Sequence, residues 1–189
     1  MTAPPVRTKR FGQSALATPA NFVTLARIVL AVPTLVLIRD RGASWLTVSL
    51  WFVLSVTDKL DGWLARRDGA TRSGAFLDPI ADKLIVLGGL VVLAGNQEVP
   101  WLPVVLIAGR ELAISLYRVA ATRRGVSLPS RPLGKWKATI QFLAVGLVLL
   151  PWTADVDAIG VTAIWAATVL TIVSGIDIVR AGGADSAAA

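Results

Sequence analysis

The stretch DKLDGWLARRDGATRSGAFLDPIADK, residues 58–83, sets Asp58, Asp61, Asp78 and Asp82 at intervals of three, seventeen and four. The chain around it is apolar: 54% of its 189 residues are hydrophobic, 16% are charged, and the mean hydropathy is +0.67. That composition lies in the membrane class, where a carboxylate is costly and needs a reason to be present. Residues three or four apart share a helix face. Asp58 and Asp61 therefore project together, with Gly62 and Ala65 on the same stripe, and Asp78 and Asp82 project together with Gly74 a turn earlier. The intervening ARRDGATRSG reads as a short loop, so the two helices are expected to be antiparallel neighbours with their carboxylate pairs facing each other. Pro79, which has no N–H to donate, is expected in the first turn of the second of them.

Exclusions narrow the chemistry. The chain has no cysteine and no histidine, which removes disulfides, thiolate zinc, Ser-His-Asp triads and His-ligated metals. Four converging carboxylates without close counter-charge repel one another unless a cation sits among them. An all-oxygen donor set suits Mg²⁺, Mn²⁺ or Ca²⁺, and Mg²⁺ sites characteristically pair carboxylates with substrate phosphate. Glycines beside the carboxylates let a ligand approach the backbone. These features describe metal-assisted phosphoryl transfer, in which two ions clamp the attacking and leaving oxygens. The alternative is that the aspartates cap helices or pair with Lys59, Arg66 and Lys83.

Apolar runs near 21–38, 44–57, 79–95, 101–119, 137–152 and 159–179 predict an all-α integral membrane protein with six spans, the second run extending as a helix to Ala65. Residues 1–20 read as an N-terminal interfacial segment, 21–180 as the membrane domain and 181–189 as a disordered tail. Fifteen Lys and Arg fall on the side of the N-terminus and only Arg39 and Arg41 on the other. The positive-inside rule then places both termini and the aspartates on the cytoplasmic side. The net charge of +7 suits lipid headgroups and phosphorylated substrates better than nucleic acid, because the basic residues lie between apolar runs. Trp45, Trp101 and Trp152 at outer helix ends, and Trp136 at an inner one, read as interfacial anchors.

The pattern Asp58-x-x-Asp61-Gly62-x-x-Ala65-Arg66, then Gly74-x-x-x-Asp78-x-x-x-Asp82, resembles the signature of the CDP-alcohol phosphatidyltransferases. The resemblance implies six membrane helices behind a short interfacial segment, in a bacterial inner membrane and commonly as a homodimer. It also implies that Asp58, Asp61 and Asp78 bind two divalent ions, Mg²⁺ or Mn²⁺, on the pyrophosphate of a CDP-linked lipid. Asp82 would help to bind metal and act as general base on the acceptor alcohol, while Gly62, Ala65, Arg66 and Gly74 would shape the cytidine and phosphate pocket.

TPANFVTLARIVLAVP, LDPIADK, AGRELAISLYR and GKWKATIQ resemble the phosphatidylglycerophosphate synthase branch, whose substrates are CDP-diacylglycerol and glycerol 3-phosphate. Asn21, Thr24 and Arg27 share an inward stripe of the first helix and are candidates for the CDP-lipid; a capping Asn and a snorkelling Arg are the alternative. Arg110, Arg118, Lys135 and Lys137 are candidates for the acceptor phosphate, with an Arg110–Glu111 ion pair fixing the fourth helix as the competing role. Within the same fold, a cardiolipin synthase taking phosphatidylglycerol and a synthase taking inositol phosphate are the alternatives. A transporter is disfavoured, because the carboxylates lie at one interface and no internal repeat is visible.

Overall fold

The computed structural model describes residues 18–68, 72–123, 132–154 and 156–187, and these are helical apart from short connections. Six long helices are α1 (Pro19–Arg41), α2 (Trp45–Asp68), α3 (Arg72–Gly95), α4 (Trp101–Arg123), α5 (Pro132–Leu149) and α7 (Asp157–Ala187); a single turn, α6 (Pro151–Ala154), follows α5. Among the described residues two segments, Pro19–Arg41 and Ala158–Ala181, are long and apolar enough to cross a membrane, and Trp136–Leu149 is a shorter apolar helix. The other long helices carry the charges that the site requires.

Burial is inverted relative to a water-soluble bundle. On α1 the buried residues Asn21, Thr24, Arg27, Ala31, Thr34 and Ile38 recur every three or four positions, while Phe22, Val29 and Val32 point outward. On α7, Thr168, Thr171 and Ser174 are buried and Val169, Val173 and Ile176 are exposed. A helix that hides its hydroxyls and shows its valines is matched to a hydrocarbon solvent, in which side-chain hydrogen bonds and close packing hold helices together. Trp45, Trp101, Trp136 and Trp152 are all exposed at helix ends, and Trp45 meets Trp152 edge-on at 5.1 Å.

The core centres on Trp51, 2% exposed, which stacks on Phe142 at 4.4 Å and donates its indole N–H to the Phe142 carbonyl at 3.0 Å. Gly89 and Gly146 pack against the ring; a Cβ at Gly89 would lie 2.8 Å from Trp51 Cη2. At the opposite end from the aspartates, Gly42 ends α1 with φ 59° and donates to the Ile38 carbonyl at 2.9 Å. Asn96 there donates to Ile38 O at 3.2 Å and to Glu98 Oε1 at 3.3 Å, tying the α3–α4 connection to the end of α1.

Three expectations are revised. Pro79 lies inside α3, which begins seven residues earlier at Arg72, so the helix accepts the loss of one backbone hydrogen bond at the start of its third turn. Among the described residues α2 and α3 bring Asp58 and Asp82 to one cavity without close backbone packing on each other; α1 packs against both, because its inward stripe lets it sit close to each. The helix α7 runs through residues 181–187, most of the stretch expected to be a disordered tail, despite the poor helix propensity of Gly182 and Gly183. Residues 1–17, the bulk of the expected interfacial segment, lie outside the described residues.

Candidate active site

Two of the four aspartates are held by α1. Thr18 caps that helix, accepting from Asn21 N at 3.2 Å, and Pro19 follows in the first turn. Helical periodicity then sends Thr24 and Arg27 to the same inward face. Arg27, only 2% exposed, donates through Nη1 to Asp58 Oδ1 on α2 at 2.7 Å. Thr24 Oγ1 lies 2.9 Å from Asp78 Oδ1 on α3 and 3.1 Å from its own Ala20 carbonyl. One helix thus fixes a carboxylate on each of its neighbours. The cap is Thr18 and not Asn21, which is buried a turn further on.

Asp82 completes the described acidic group. It is partly buried on α3, within electrostatic reach of Asp58, Arg27, Lys137 and Glu111. Asp58 and Asp82 line one end of a cavity of about 320 Å³ that continues between α2 and α5 past Trp51, Phe52, Phe142 and Leu143 to Val48 and Leu147. From Asp58 to Val48 is ten residues, about 15 Å of helix. The cavity is therefore a largely apolar groove with two carboxylates at its mouth.

Behind Asp82 is a second charged group. Lys137 on α5 and Arg110 on α4 both donate to Oε1 of Glu111, Arg110 at 3.1 Å. Arg110 Nη2 donates to Ser174 Oγ on α7 at 3.0 Å, and Gly175 lies against the guanidinium, where a Cβ would be 3.0 Å from Nε. One turn along α4, Ser115 bonds the Glu111 carbonyl at 2.6 Å and receives Lys83 from α3. On the other side, Gln141 donates to Thr171 at 2.8 Å.

The structure therefore brings Asp58, Asp82, Arg27 and Lys137 into one electrostatic neighbourhood, with Asp78 held next to it by α1. Gly62 lies on α2, and Gly74 is buried in the first turn of α3. Arg118 is exposed on α4, two turns beyond Glu111. The backbones of Asp61, Ala65, Arg66 and Lys135 are helical, but their side chains lie outside the described residues. Among the described residues no three carboxylates form a metal-binding group; Asp61 is not among them. The donors that are described fit a hard cation: they are carboxylate oxygens, and Asp58 remains 49% exposed after Arg27 has taken one oxygen. Sequence reasoning gave Glu111 a pairing role only and missed Ser174; the adjacent charges Arg110 and Glu111 in mid-span, and Ser174-Gly175 in an otherwise apolar helix, were the available signals.

An inverted bundle with carboxylates at the mouth of an apolar groove defines a class of protein suited to ligands that are charged at one end and oily at the other. The family model for CDP-alcohol phosphatidyltransferases matches residues 17–173, and the chain belongs to that family. It is 39% identical over 175 residues to the "Probable phosphatidylglycerophosphate synthase" of Mycobacterium tuberculosis, covering 89% of this chain and 83% of that protein. It is also similar to two proteins named CDP-diacylglycerol--glycerol-3-phosphate 3-phosphatidyltransferase. The one from Sodalis glossinidius is 42% identical over 161 residues, 80% of this chain and 87% of that one. The one from Haemophilus influenzae is 34% identical over 159 residues, 80% and 85% of the two chains.

Proposed function

We propose that this chain is a membrane enzyme that transfers the phosphatidyl group of CDP-diacylglycerol to glycerol 3-phosphate, giving phosphatidylglycerophosphate and CMP. The observation that carries the reading is the groove with Asp58 and Asp82 at its mouth, which suits a lipid whose pyrophosphate lies at the carboxylates and whose acyl chain follows the apolar wall. The names of the relatives supply the acceptor.

In this reading Asp82 takes the proton of the acceptor hydroxyl. The freed oxygen attacks the phosphorus bonded to diacylglycerol, a new P–O bond forms, and the bond to CMP breaks. Asp58, Asp61, Asp78 and Asp82 would hold two divalent ions, Mg²⁺ or Mn²⁺, which would supply charge neutralisation on the pyrophosphate. Arg27 and Thr24 keep Asp58 and Asp78 in place. Asn21, Gly62, Ala65, Arg66 and Gly74 would border the CDP moiety, and Arg110, Arg118, Lys135 and Lys137 the acceptor phosphate. All six long helices would span a bacterial cell membrane as part of a homodimer, with both termini and the site on the cytoplasmic side.

The test is CMP release by the purified protein in detergent with CDP-diacylglycerol and Mg²⁺, offering glycerol 3-phosphate, phosphatidylglycerol or inositol phosphate, each with and without EDTA. Release with glycerol 3-phosphate alone, abolished by EDTA, is expected. Release with another acceptor would keep the chemistry and overturn the substrate.

A further inference from the structure

Glu111 is a buried carboxylate with no part in the transfer just described. It lies ten residues into α4, about 15 Å along the helix axis, with Arg110 and Lys137 bound to it. Two cations at that depth require an anion, since an unpaired buried charge is strongly destabilising. Neutralisation alone, however, does not account for the geometry. Both cations end on the same oxygen, Oε1. Arg110 is gripped from behind by Ser174 and by the surface that Gly175 leaves open, so three helices converge to fix where that oxygen lies. The result is delivered to Lys137, which with Arg27 is a cation whose field reaches Asp82; Arg27 is engaged with Asp58. An ammonium has three donors, and Glu111 takes one of Lys137's.

We propose that Glu111 is a positioning residue: its Oε1, backed by Arg110 and Ser174, holds the Lys137 ammonium beside Asp82, where the lysine's remaining donors meet the phosphate of the acceptor. The proposal rests on the functional reading above. It gives α7, which carries none of the residues picked out by the sequence, a part in acceptor recognition through Ser174.

The experiment is a double-mutant cycle on the purified, full-length protein in detergent with Mg²⁺. Glu111→Asp keeps the charge that neutralisation needs but withdraws the oxygen by one methylene, so a purely structural role is preserved and a positioning role is not. The expected result is a rise of about tenfold in KM for glycerol 3-phosphate, the equivalent of one charge-assisted hydrogen bond, with KM for CDP-diacylglycerol within about twofold of the parent. In a Lys137→Met background the same substitution should add nothing, because its effect runs through the lysine. An equal rise in both KM values, an unchanged acceptor KM, or a full effect of Glu111→Asp without Lys137 overturns the proposal. If Glu111→Asp fails to fold, as read by thermal unfolding, Ser174→Ala takes its place in the cycle, with an expected acceptor-specific rise of about threefold that also vanishes without Lys137; the same contrary results then overturn it. Should the parent use a different acceptor, the functional reading fails by itself, and the cycle read on that acceptor's KM still decides the role of Glu111.

Discussion

Asp82 and Asp58 share a groove but differ in the role proposed for each, and single substitutions test that difference. Asp82→Asn preserves size and removes the proposed base, so turnover should fall by roughly 10²–10⁴-fold while CDP-lipid affinity stays near that of the parent. CMP release and a direct binding assay measure the two quantities, and substantial remaining turnover would remove Asp82 as the base. Arg27→Lys keeps a positive charge but loses the planar fork. Because Asp58 is half exposed, the loss should be felt in the site more than in the fold: a several-fold rise in KM for CDP-diacylglycerol with a small change in melting temperature. The gathering of Asp58 and Asp82 at one groove was legible from sequence because carboxylates in an apolar chain are unusual and their spacing is helical. The partners of Asp58 and Asp78 were not. A stripe of Asn21, Thr24 and Arg27 tells which face of α1 turns inward, but not which helices it meets.

At the scale of elements, the apolar runs marked all six long helices, since length in hydrocarbon is a strong constraint. Their ends were less legible. Pro79 reads as a start signal, yet the flanking turns of α3 outweigh one missing hydrogen bond; and the break at Leu150 with the single turn α6 interrupts what looked like one continuous run. The carboxylates of α2 and α3 meet at one groove as their spacing suggested, but it is α1 that packs closely against both helices: a short loop makes two helices adjacent in sequence, while close packing is decided by which faces can approach. Small residues decide it around Trp51. Gly89→Ala would place a Cβ 2.8 Å from the indole, whose ring is already fixed by stacking on Phe142 and by its hydrogen bond. Overpacking of this kind costs about 1–3 kcal/mol. A lowered unfolding temperature in detergent, with CMP release retained in the folded fraction, is the expected outcome; an unchanged midpoint would show that the ring can shift.

For the molecule as a whole, orientation and the far-end staple are open to measurement. The chain lacks cysteine, so single cysteines report cleanly. Asp40→Cys at the end of α1 should react with a membrane-impermeant maleimide in intact cells, and Thr122→Cys near the end of α4 only after permeabilisation; the reverse pattern would invert the topology. At the staple, burial raises the carboxyl pKa of Glu98 against a smaller opposing effect of its bond from Asn96. A raised folded-state pKa means that stability is fully present below the ordinary carboxyl range, near 4.3, and is lost as pH rises through the folded value. Glu98→Gln should therefore unfold at an equal or higher temperature than the parent at neutral pH, with the difference closing as the pH falls below that range. A variant less stable at neutral pH would mean that the charge itself is needed.

The hydroxyl-bearing face of α7 also bears on how the chain is made. A ribosome delivers α7 after α4 and α5, and until it arrives Arg110 and Gln141 lack the Ser174 and Thr171 oxygens they bond in the finished bundle. A chain that stops before Asp157 thus leaves polar groups of α4 and α5 without the partners α7 supplies, which costs stability in an apolar surrounding. Pulse-chase turnover should show a chain truncated there to be cleared faster than the full-length protein.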